Sequence, residues 1–435
     1  MTARPLVVHV SHQDPRHCTG GQGIVVRDIC RAQLRMGYPV QYLSMRLRGE
    51  PPVESFPYDE GTLTVERLGV GDSDEIDTPY AGDECRQLTR RLAFNEHCVR
   101  ILRDADPART VLHLHGFYAI PLLAGMLPHL RSVTTYHLLL STRMQRVGAP
   151  DPMLHTIRHH EIASFLAARV VHAVSPGMAG DILALARTAC DPAVRAGVRE
   201  IARRHEAVLH GLEDGDGGVS RLADRIRVVP NPIGWAFLSP ALAAPVAGRV
   251  LAWGRISAEK GFEHVVEAAR LLPHLSFRIL GITGQGERDR DAYADQLREA
   301  ARVLPNVALD FRGTGVRGEE LLRAIDEAEI AVAPSHYESF GLVLPEAMAR
   351  GTPVVTTATA GGEYIFGSTR HGRHDFGFLV PVERAKITPG LVESLRCFFT
   401  LDEDARERMR RAARQQAARF GPDRIVQDLS ALYAA

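Results

Sequence analysis

The sequence has 435 residues, and its 52 basic and 52 acidic side chains leave a formal net charge of zero. This balance disfavours a nucleic-acid binder, and no apolar run approaches the about 18 residues that a membrane-spanning helix needs. The six cysteines contain no Cys-x-x-Cys pair, so neither a zinc knuckle nor a disulfide framework is predicted. We expect a cytoplasmic globular protein of two or three domains, without a nucleic-acid partner or stable membrane insertion.

Short β-branched runs alternate with longer helical patterns, which is typical of βαβ units around parallel sheets. Predicted strands of the first half are Leu6–Val10, Val40–Met45, Val111–His115, Val133–Tyr136, Val170–Val174 and Ile226–Val229. Those of the second half are Val250–Trp253, Phe277–Leu280, Val307–Phe311, Ile330–Ala333 and Val354–Thr357. The pattern predicts an α/β protein with two Rossmann-like domains, whose strand ends face across an interdomain cleft.

Domain boundaries follow from composition. The segment Asn231–Arg249 is rich in Pro, Ala and Gly and has no amphipathic period, which indicates a linker. We therefore expect an N-terminal domain over 1–232 and a C-terminal domain over 241–417. A helix is expected in 418–435, and whether it packs against the first domain is left open. The irregular, Pro-containing stretch Arg46–Asp83 is expected to be a surface excursion.

A glycine-rich turn follows the first predicted strand and contains Gly20 and Gly21. Glycines allow close backbone approach, and free amides at a helix start suit a phosphate. A simple loop-to-helix turn is equally compatible with this motif alone. Because Val26 replaces the third glycine of G-x-G-x-x-G, the turn is not a nicotinamide fingerprint.

Two cations stand at the strand-to-helix turn that opens the second domain. Arg255 and Lys260 are five positions apart and can converge on one diphosphate, although a salt bridge to the neighbouring Glu259 is the alternative. The only lysines among the 52 basic residues are Lys260 and Lys386. This rarity favours a phosphate-binding role for Lys260.

Two carboxylates follow a later strand. Glu338 is predicted in the loop and Glu346 in the next helix, and a carboxylate can accept paired hydrogen bonds from vicinal sugar hydroxyls. The amides between them, at the predicted helix start, suit phosphate; they belong to Ser339, Phe340, Gly341 and Leu342. Either glutamate taken alone is also compatible with an ordinary helix N-terminus.

Taken together, Glu338 to Glu346, the Arg255 to Lys260 turn and Gly20-Gly21 resemble the retaining GT-B glycosyltransferases of family 4. The resemblance spans nearly the whole chain and is strongest between residues 250 and 360. It implies that Arg255 and Lys260 hold the donor diphosphate, that Glu338 and the following amides hold the donor sugar, and that Glu346 holds the ribose.

The resemblance extends to the first domain. His115 ends a strand like the family's histidine-bearing strand, and His137 matches the family histidine beside the donor sugar. Arg158, with Glu161, resembles an Arg-x-x-Glu helix that faces the acceptor in some members; a surface arginine paired with Glu161 is the alternative. The resemblance therefore implies catalytic roles for His137, Arg255, Lys260 and Glu338, and acceptor-binding roles for His115 and Arg158.

The predicted activity is retaining transfer of a sugar from a nucleoside-diphosphate sugar, with UDP or GDP most compatible, to a small polar acceptor. The resemblance implies no metal and no cofactor, and it suggests specialised-metabolite, small-thiol or cyclitol biosynthesis. A nucleotide-sugar epimerase, a transferase for a lipid or polysaccharide acceptor, and a non-catalytic binding protein are alternatives. A homodimer is also left open.

Overall fold

The computed structural model describes residues 4–15, 21–58, 61–116, 119–147, 153–212, 221–283, 288–313 and 315–434. The chain divides into two compact units. The first comprises Met1–Pro232 together with Pro422–Ala435, and the second comprises Ile233–Gly421. The polypeptide therefore crosses between the units twice.

The first unit is built on an eight-stranded sheet with the order β3-β4-β2-β1-β5-β6-β7-β8. Its strands are β1 (Leu6–Val10), β2 (Val40–Met45), β3 (Val53–Tyr58), β4 (Gly61–Leu68), β5 (Thr110–His115), β6 (Arg131–Tyr136), β7 (Val170–Ala173) and β8 (Ile226–Val228). Its helices before the first crossing are α1 (Gly21–Arg35), α2 (Glu84–Leu102), α3 (Leu123–Met126), α4 (Leu140–Val147), α5 (Leu154–Ala167), α6 (Pro176–Arg187) and α7 (Pro192–Arg204). The central strands from β2 to β7 in this order pair in parallel, and β5 is buried throughout because helices cover both faces of such a sheet.

The expected surface excursion over Arg46–Asp83 is wrong in part, because this stretch contains β3 and β4. β4 pairs in parallel with β2 and antiparallel with β3, so the two strands extend the sheet at its edge. Leu63 and Val65 alternate inward with the period of a strand and are fully buried. Pro57 is tolerated in β3 because that strand has a free edge.

The second unit is built on a seven-stranded sheet with the order β11-β10-β9-β12-β13-β15-β14. Its strands are β9 (Arg249–Arg255), β10 (Ser276–Ile282), β11 (Val307–Arg312), β12 (Ile330–Ala333), β13 (Val354–Thr357), β14 (Gly372–His374) and β15 (Gly377–Val380). Its helices are α8 (Phe262–Leu271), α9 (Arg288–Ala301), α10 (Gly318–Asp326), α11 (Val343–Ala349), α12 (Ala360–Phe366), α13 (Arg384–Phe399) and α14 (Glu403–Ala417). All pairs are parallel except β14 with β15, and the prediction of two Rossmann-like α/β sheets is confirmed.

The chain ends in the first unit with α15 (Pro422–Ala431), which contacts α1. The ring of Tyr433 follows this helix and is buried. Among the described residues, no helix is long and apolar enough to cross a bilayer.

Candidate functional site

The turn between β9 and α8 positions both predicted diphosphate ligands. Arg255 is the last residue of β9, and Lys260 ends a short 3-10 turn, Ala258–Lys260. Gly261 follows with φ of +67°, and a Cβ atom there would lie 2.2 Å from the carbonyl oxygen of Pro334. The turn therefore requires glycine at this position both for its backbone conformation and for its close packing.

Both cations of this turn are held by carboxylates. Lys260 Nζ lies 2.5 Å from Glu338 Oε2, and both side chains are about one-fifth exposed, 23% and 18%. The guanidinium of Arg255 lies 3.3 Å from the carboxylate of Glu259, which is buried. The salt bridge between Arg255 and Glu259 that the sequence left as an alternative thus exists, and Lys260 instead contacts the other predicted ligand, Glu338.

The loop between β12 and α11 contains the remaining predicted donor ligands of this unit. Ser339, Phe340 and Gly341 are buried, and Leu342 directly precedes α11. The carbonyl of Glu338 accepts a hydrogen bond from the amide of Gly361 at 2.9 Å, which fixes the loop against α12. The loop therefore has a defined backbone.

Glu346 lies in α11 and is buried. Gly341 has φ of +84°, and a Cβ atom there would lie 3.0 Å from Cγ of Glu338. A side chain at Gly341 would consequently displace the Glu338 side chain.

A backbone hydrogen bond ties the two loops together. The amide of His336 donates to the carbonyl of Glu259 at 2.8 Å. With the Lys260–Glu338 ion pair and the packing of Gly261 on Pro334, this makes three contacts between the turns. Arg255, Lys260 and Glu338 therefore belong to one local structure, although Glu338 is 78 positions from Lys260.

The described residues contain two clusters of three metal-ligating side chains: His9, His113 and His115 in the first unit, and Glu263, His264 and His336 in the second. Glu263 accepts hydrogen bonds from His336 at 3.1 Å and from Arg384 at 3.0 Å. Burial acts to raise the pKa of Glu263, but hydrogen bonds from His336 and Tyr293 outweigh it and lower that pKa to about 2. Since hydrogen bonds within the protein already engage these groups, we assign no metal to either cluster.

The predicted glycine turn is only partly described. Gly20 lies outside the described residues, and Gly21 is the exposed first residue of α1. The role of both glycines in phosphate binding stays a prediction.

The two predicted histidines of the first unit are in contact. His115 is the last residue of β5, His137 directly follows β6, and their Nδ1 and Nε2 atoms are 3.3 Å apart. Burial lowers the pKa of His137 to about 3 and that of His115 well below its usual value. Both imidazoles are therefore neutral at physiological pH.

Three further histidines join this pair and were missed by the sequence analysis. His9 and His113 are fully buried beside His115, and His172 lies on the neighbouring strand β7. The alternation of His113 and His115 on one strand places both side chains on the same face of the sheet, and this signal was available in the sequence.

Arg158 lies in α5, as does Glu161. The Glu161 carboxylate is buried and accepts hydrogen bonds from the Leu140 amide at 2.7 Å and from the Ser141 hydroxyl. Burial raises the pKa of Glu161 to about 7. Its function is therefore to fix the start of α4, whereas acceptor binding by Arg158 stays a prediction.

Family models match both halves of the chain. The model described as Glycosyltransferase Family 4 matches residues 19–194, and the model described as Glycosyl transferases group 1 matches residues 247–416. All of the predicted site residues lie within these two ranges. The chain belongs to the family 4 glycosyltransferases. The predicted resemblance and the predicted enzyme class are thus confirmed.

This family 4 glycosyltransferase is similar to curated relatives, to one of them along nearly its whole length. It is 27% identical to a D-inositol 3-phosphate glycosyltransferase from Jonesia denitrificans, in an alignment covering 95% of this chain and 91% of the relative. It is 40% identical over 144 residues to a glycogen synthase from Mycobacterium tuberculosis, covering 32% of this chain and 34% of the relative.

Among solved structures, the sucrose-phosphate synthase from Thermosynechococcus elongatus has the same fold as this glycosyltransferase. The TM-score is 0.74 at 20% identity, covering 99% of this chain and 98% of that one. The likeness identifies the two Rossmann-like units as a GT-B fold.

Proposed function

We propose that this glycosyltransferase moves a sugar from a nucleoside diphosphate to a small polyhydroxylated acceptor of the cyclitol phosphate class, with retention of the anomeric configuration. The observation that supports the donor half is the Lys260–Glu338 ion pair, at 2.5 Å, which joins the loop of Glu338 to the turn that follows Arg255. Two cations on one turn and a carboxylate on the loop beside it match the two parts of a sugar nucleotide, the diphosphate and the sugar hydroxyls.

The second unit would stabilise the leaving group. As the bond to the anomeric carbon breaks, negative charge builds on the diphosphate and the sugar becomes oxocarbenium-like. Arg255 and Lys260 are already positioned by Glu259 and Glu338, so they would act on this charge with little reorganisation. Diphosphate would draw Lys260 away from Glu338, which frees that carboxylate to accept hydrogen bonds from the sugar.

Retention would proceed without a side-chain nucleophile. In this proposal the acceptor hydroxyl attacks the face that the diphosphate leaves, and the departing phosphate oxygen accepts the acceptor's proton. The protein supplies orientation and charge stabilisation, with no metal or cofactor. UDP or GDP is the proposed nucleotide.

The acceptor class is supported by the whole-chain similarity to D-inositol 3-phosphate glycosyltransferase. The alignment with glycogen synthase has the higher identity, 40%, but it covers only 32% of this chain. It therefore supports an acceptor class less strongly than the whole-chain alignment does. We therefore place a phosphorylated cyclitol before a glucan as the acceptor.

The test is product formation by the full-length protein with each of several UDP- and GDP-sugars, offered with an inositol phosphate, free inositol or a glucan. We expect a disaccharide-like product with inositol phosphate whose anomeric proton coupling in NMR matches the α-configured donor. A product with the inverted configuration would overturn retention. A product with glucan alone would overturn the acceptor class, and donor isomerisation without transfer would support the epimerase alternative.

A further inference from the structure

A single file of hydrogen bonds, here called the histidine chain, runs through the first unit and ends at His137. In order, its groups are the Val229 carbonyl, His172, Thr135, His113, Tyr433, Gln33, His9, His115 and His137. Successive donor–acceptor distances are 2.7, 2.8, 2.7, 2.7, 2.5, 2.6, 2.9 and 3.3 Å. Its members come from strands β1, β5, β6 and β7, from the residues that directly follow β6 and β8, from α1 and from the segment after α15, so the fold itself assembles it.

The carbonyl of Val229 fixes the direction of the first bonds. A carbonyl can only accept, so His172 must donate from Nε2, and its Nδ1 is then an acceptor in the neutral ring. The Thr135 hydroxyl consequently donates to His172 and accepts from Nε2 of His113. The Nδ1 atom of His113 is thereby left as an acceptor as well.

The direction of donation continues unchanged from Tyr433 to His9. The Tyr433 hydroxyl must donate to His113, so its oxygen accepts from the amide nitrogen of Gln33. The amide oxygen of Gln33 then accepts from Nε2 of His9. The structure has the Gln33 amide in this orientation, which agrees with the direction imposed from Val229.

The last two bonds set the tautomer of His137. Because His9 donates from Nε2, its Nδ1 accepts from Nε2 of His115, and Nδ1 of His115 accepts from Nε2 of His137. His137 therefore carries its proton on Nε2.

These hydrogen-bond directions hold for neutral rings, which the buried surroundings favour. Burial lowers the pKa of His9 and His172 to about 4 and that of His137 to about 3. Burial, together with neighbouring histidines, lowers the pKa of His113 and of His115 well below the usual value. Each ring therefore offers one donor and one acceptor nitrogen.

We infer that Thr135, Gln33 and Tyr433 are positioning residues that transmit the direction set by the Val229 carbonyl and lock His137 in its Nε2–H tautomer. Tyr433 follows the second crossing of the polypeptide, and Val229 lies shortly before the first. Tyr433, in the C-terminal segment, thus helps to set the tautomer of His137, a predicted catalytic residue 296 positions earlier in the chain.

The locked tautomer restricts what His137 can bind, and this part rests on the proposed function. Its Nε2–H is donated inward to His115, so any partner of Nδ1 must itself donate a hydrogen bond. A sugar hydroxyl meets that requirement, whereas the oxygens of a fully ionised diphosphate do not. His137 would therefore contact the sugar part of the donor as a neutral acceptor, and it would not serve as a general acid.

The test is the tautomer of His137 in substrate-free, full-length protein labelled with ¹⁵N-histidine. Long-range ¹H–¹⁵N correlation spectra distinguish protonation at Nδ1 from Nε2, and a His137→Gln variant identifies the His137 signals. We expect a single Nε2–H form in the wild-type protein. An Nδ1–H form, a protonated ring or an equal mixture at pH 7.5 would overturn the inference.

Matched variants test transmission. Thr135→Val cuts the histidine chain, whereas Thr134→Val removes an adjacent buried hydroxyl that makes no hydrogen bond within the described part of the protein. Tyr433→Phe is likewise matched by Tyr38→Phe, whose ring packs edge-on against Tyr433. We expect mixed His137 tautomers in the two cut variants and the wild-type signal in the two controls. Unchanged signals in both cut variants would overturn the transmission.

Kinetics then separates this inference from the proposed function. If both directions of the hydrogen bonds were equally populated, half of the protein would have His137 in the Nε2–H tautomer. We therefore expect kcat/KM for transfer to fall about two-fold in Thr135→Val and to stay unchanged in Thr134→Val. Absence of transferase activity in wild-type protein would refute the proposed function and leave the spectroscopic result standing. A changed tautomer with full activity would refute the proposed contact between His137 and the sugar.

Discussion

Lys260 and Glu338 form an ion pair at 2.5 Å between two strand-to-helix turns of the second unit. The pair joins one of only two lysines in the chain to the first glutamate of the Glu-x7-Glu motif. The contact shows that the two turns, each of which was predicted separately to contain donor-binding residues, lie against each other. In the proposed function, this pair opens when diphosphate and sugar bind.

Removing the charge of Lys260 should impair transfer. We expect Lys260→Ala to lower kcat/KM at least ten-fold, about 1.4 kcal/mol of transition-state stabilisation, because the developing diphosphate charge loses a positioned cation. Initial rates of transfer measure the effect. Lys386→Ala is the matched control, since Lys386 is exposed and pairs with Glu383 at 3.3 Å. Equal rates in both variants would contradict the assignment of Lys260.

Neutralising Glu338 tests the sugar-binding half of the same site. Glu338→Gln preserves the shape of the side chain but removes the carboxylate that faces Lys260. We expect at least a ten-fold loss of transfer with binding of free nucleoside diphosphate retained, because the proposed contact is with the sugar. Isothermal titration with nucleoside diphosphate and with its sugar conjugate separates the two. A parallel loss of both affinities would argue against a sugar contact.

Gly261 should tolerate no side chain. Gly261→Ala places a Cβ atom 2.2 Å from the Pro334 carbonyl oxygen, in addition to the positive φ. Gly367→Ala is a close control: its φ is +61° against +67°, and no atom lies within 4 Å of the added Cβ. We expect Gly367→Ala to cost about 1 kcal/mol of unfolding free energy and Gly261→Ala to cost more and to weaken nucleotide binding. Equal costs in urea unfolding would show that the turn can move away from Pro334.

A buried ion pair between Arg350 and Asp326 contacts the segment that begins the second unit. Arg350 bonds Asp326 through two nitrogens, at 2.8 and 2.5 Å, and donates to the carbonyls of Ser239 and Pro240. Asp326→Ala would leave a buried guanidinium without its carboxylate, so we expect a loss of about 3–5 kcal/mol in unfolding free energy.

The neighbouring Glu327 provides the control for that loss. Its carboxylate lies 2.6 Å from Arg249, but both side chains are about one-quarter exposed, 24% and 28%. Solvent screens such a pair, and Glu327→Ala should cost about 1 kcal/mol or less. Similar losses in the two variants, measured by chemical unfolding, would show that burial of the Arg350 pair adds nothing.

The histidine chain should make the protein sensitive to acid. Burial lowers the pKa of His9 and His172 to about 4 and that of His137 to about 3 in the folded protein, whereas unfolded imidazoles titrate near 6.5. Below pH 6.5 the unfolded state therefore binds more protons, and each ring lowers the unfolding free energy by up to about 1.4 kcal/mol per pH unit. We expect urea unfolding to give a smaller free energy at pH 5 than at pH 6.5. An equal or larger value at pH 5 would contradict the buried, neutral rings.

Glu161 has the opposite effect on the same experiment. Burial raises its pKa to about 7 in the folded protein, so the native state holds a proton that the unfolded chain releases above about pH 4.5. Its contribution to stability therefore falls as pH rises from about 4.5 to 7. Glu161→Gln should enlarge the difference in unfolding free energy between pH 6.5 and pH 5, since one opposing group is removed.

The sequence predicted those features that depend on local pattern. Most parallel strands are recognisable in the sequence as short apolar runs. The predicted strand Val40–Met45, for example, has the same bounds in the structure. The loop position of Glu338 follows from the strand before it and the helix after it. Edge strand β3 was missed because Pro57 and several polar residues conceal its alternation.

Contacts between residues that are far apart in the sequence could not be predicted from local sequence pattern. Gln33 and Tyr433 are 400 positions apart, and only the return of the C-terminal segment to the first unit brings them together. The partner of Lys260 was likewise not predictable from spacing, since Glu259 is adjacent in sequence but bonds Arg255. The residue types of the site were therefore readable in advance, and their pairing was not.

The most direct test of the account is thermal unfolding of wild-type, Lys260→Ala and Lys386→Ala protein with UDP, GDP, ADP, TDP, their sugar conjugates and NAD(H), each well above a micromolar Kd. We predict that one nucleoside diphosphate and its sugar raise the Tm of the wild-type and Lys386→Ala proteins, and that this rise is reduced in Lys260→Ala. No rise with any of these nucleotides, a rise with NAD(H) alone, or an equal rise in Lys260→Ala would contradict a sugar-nucleotide site built on the Lys260–Glu338 pair.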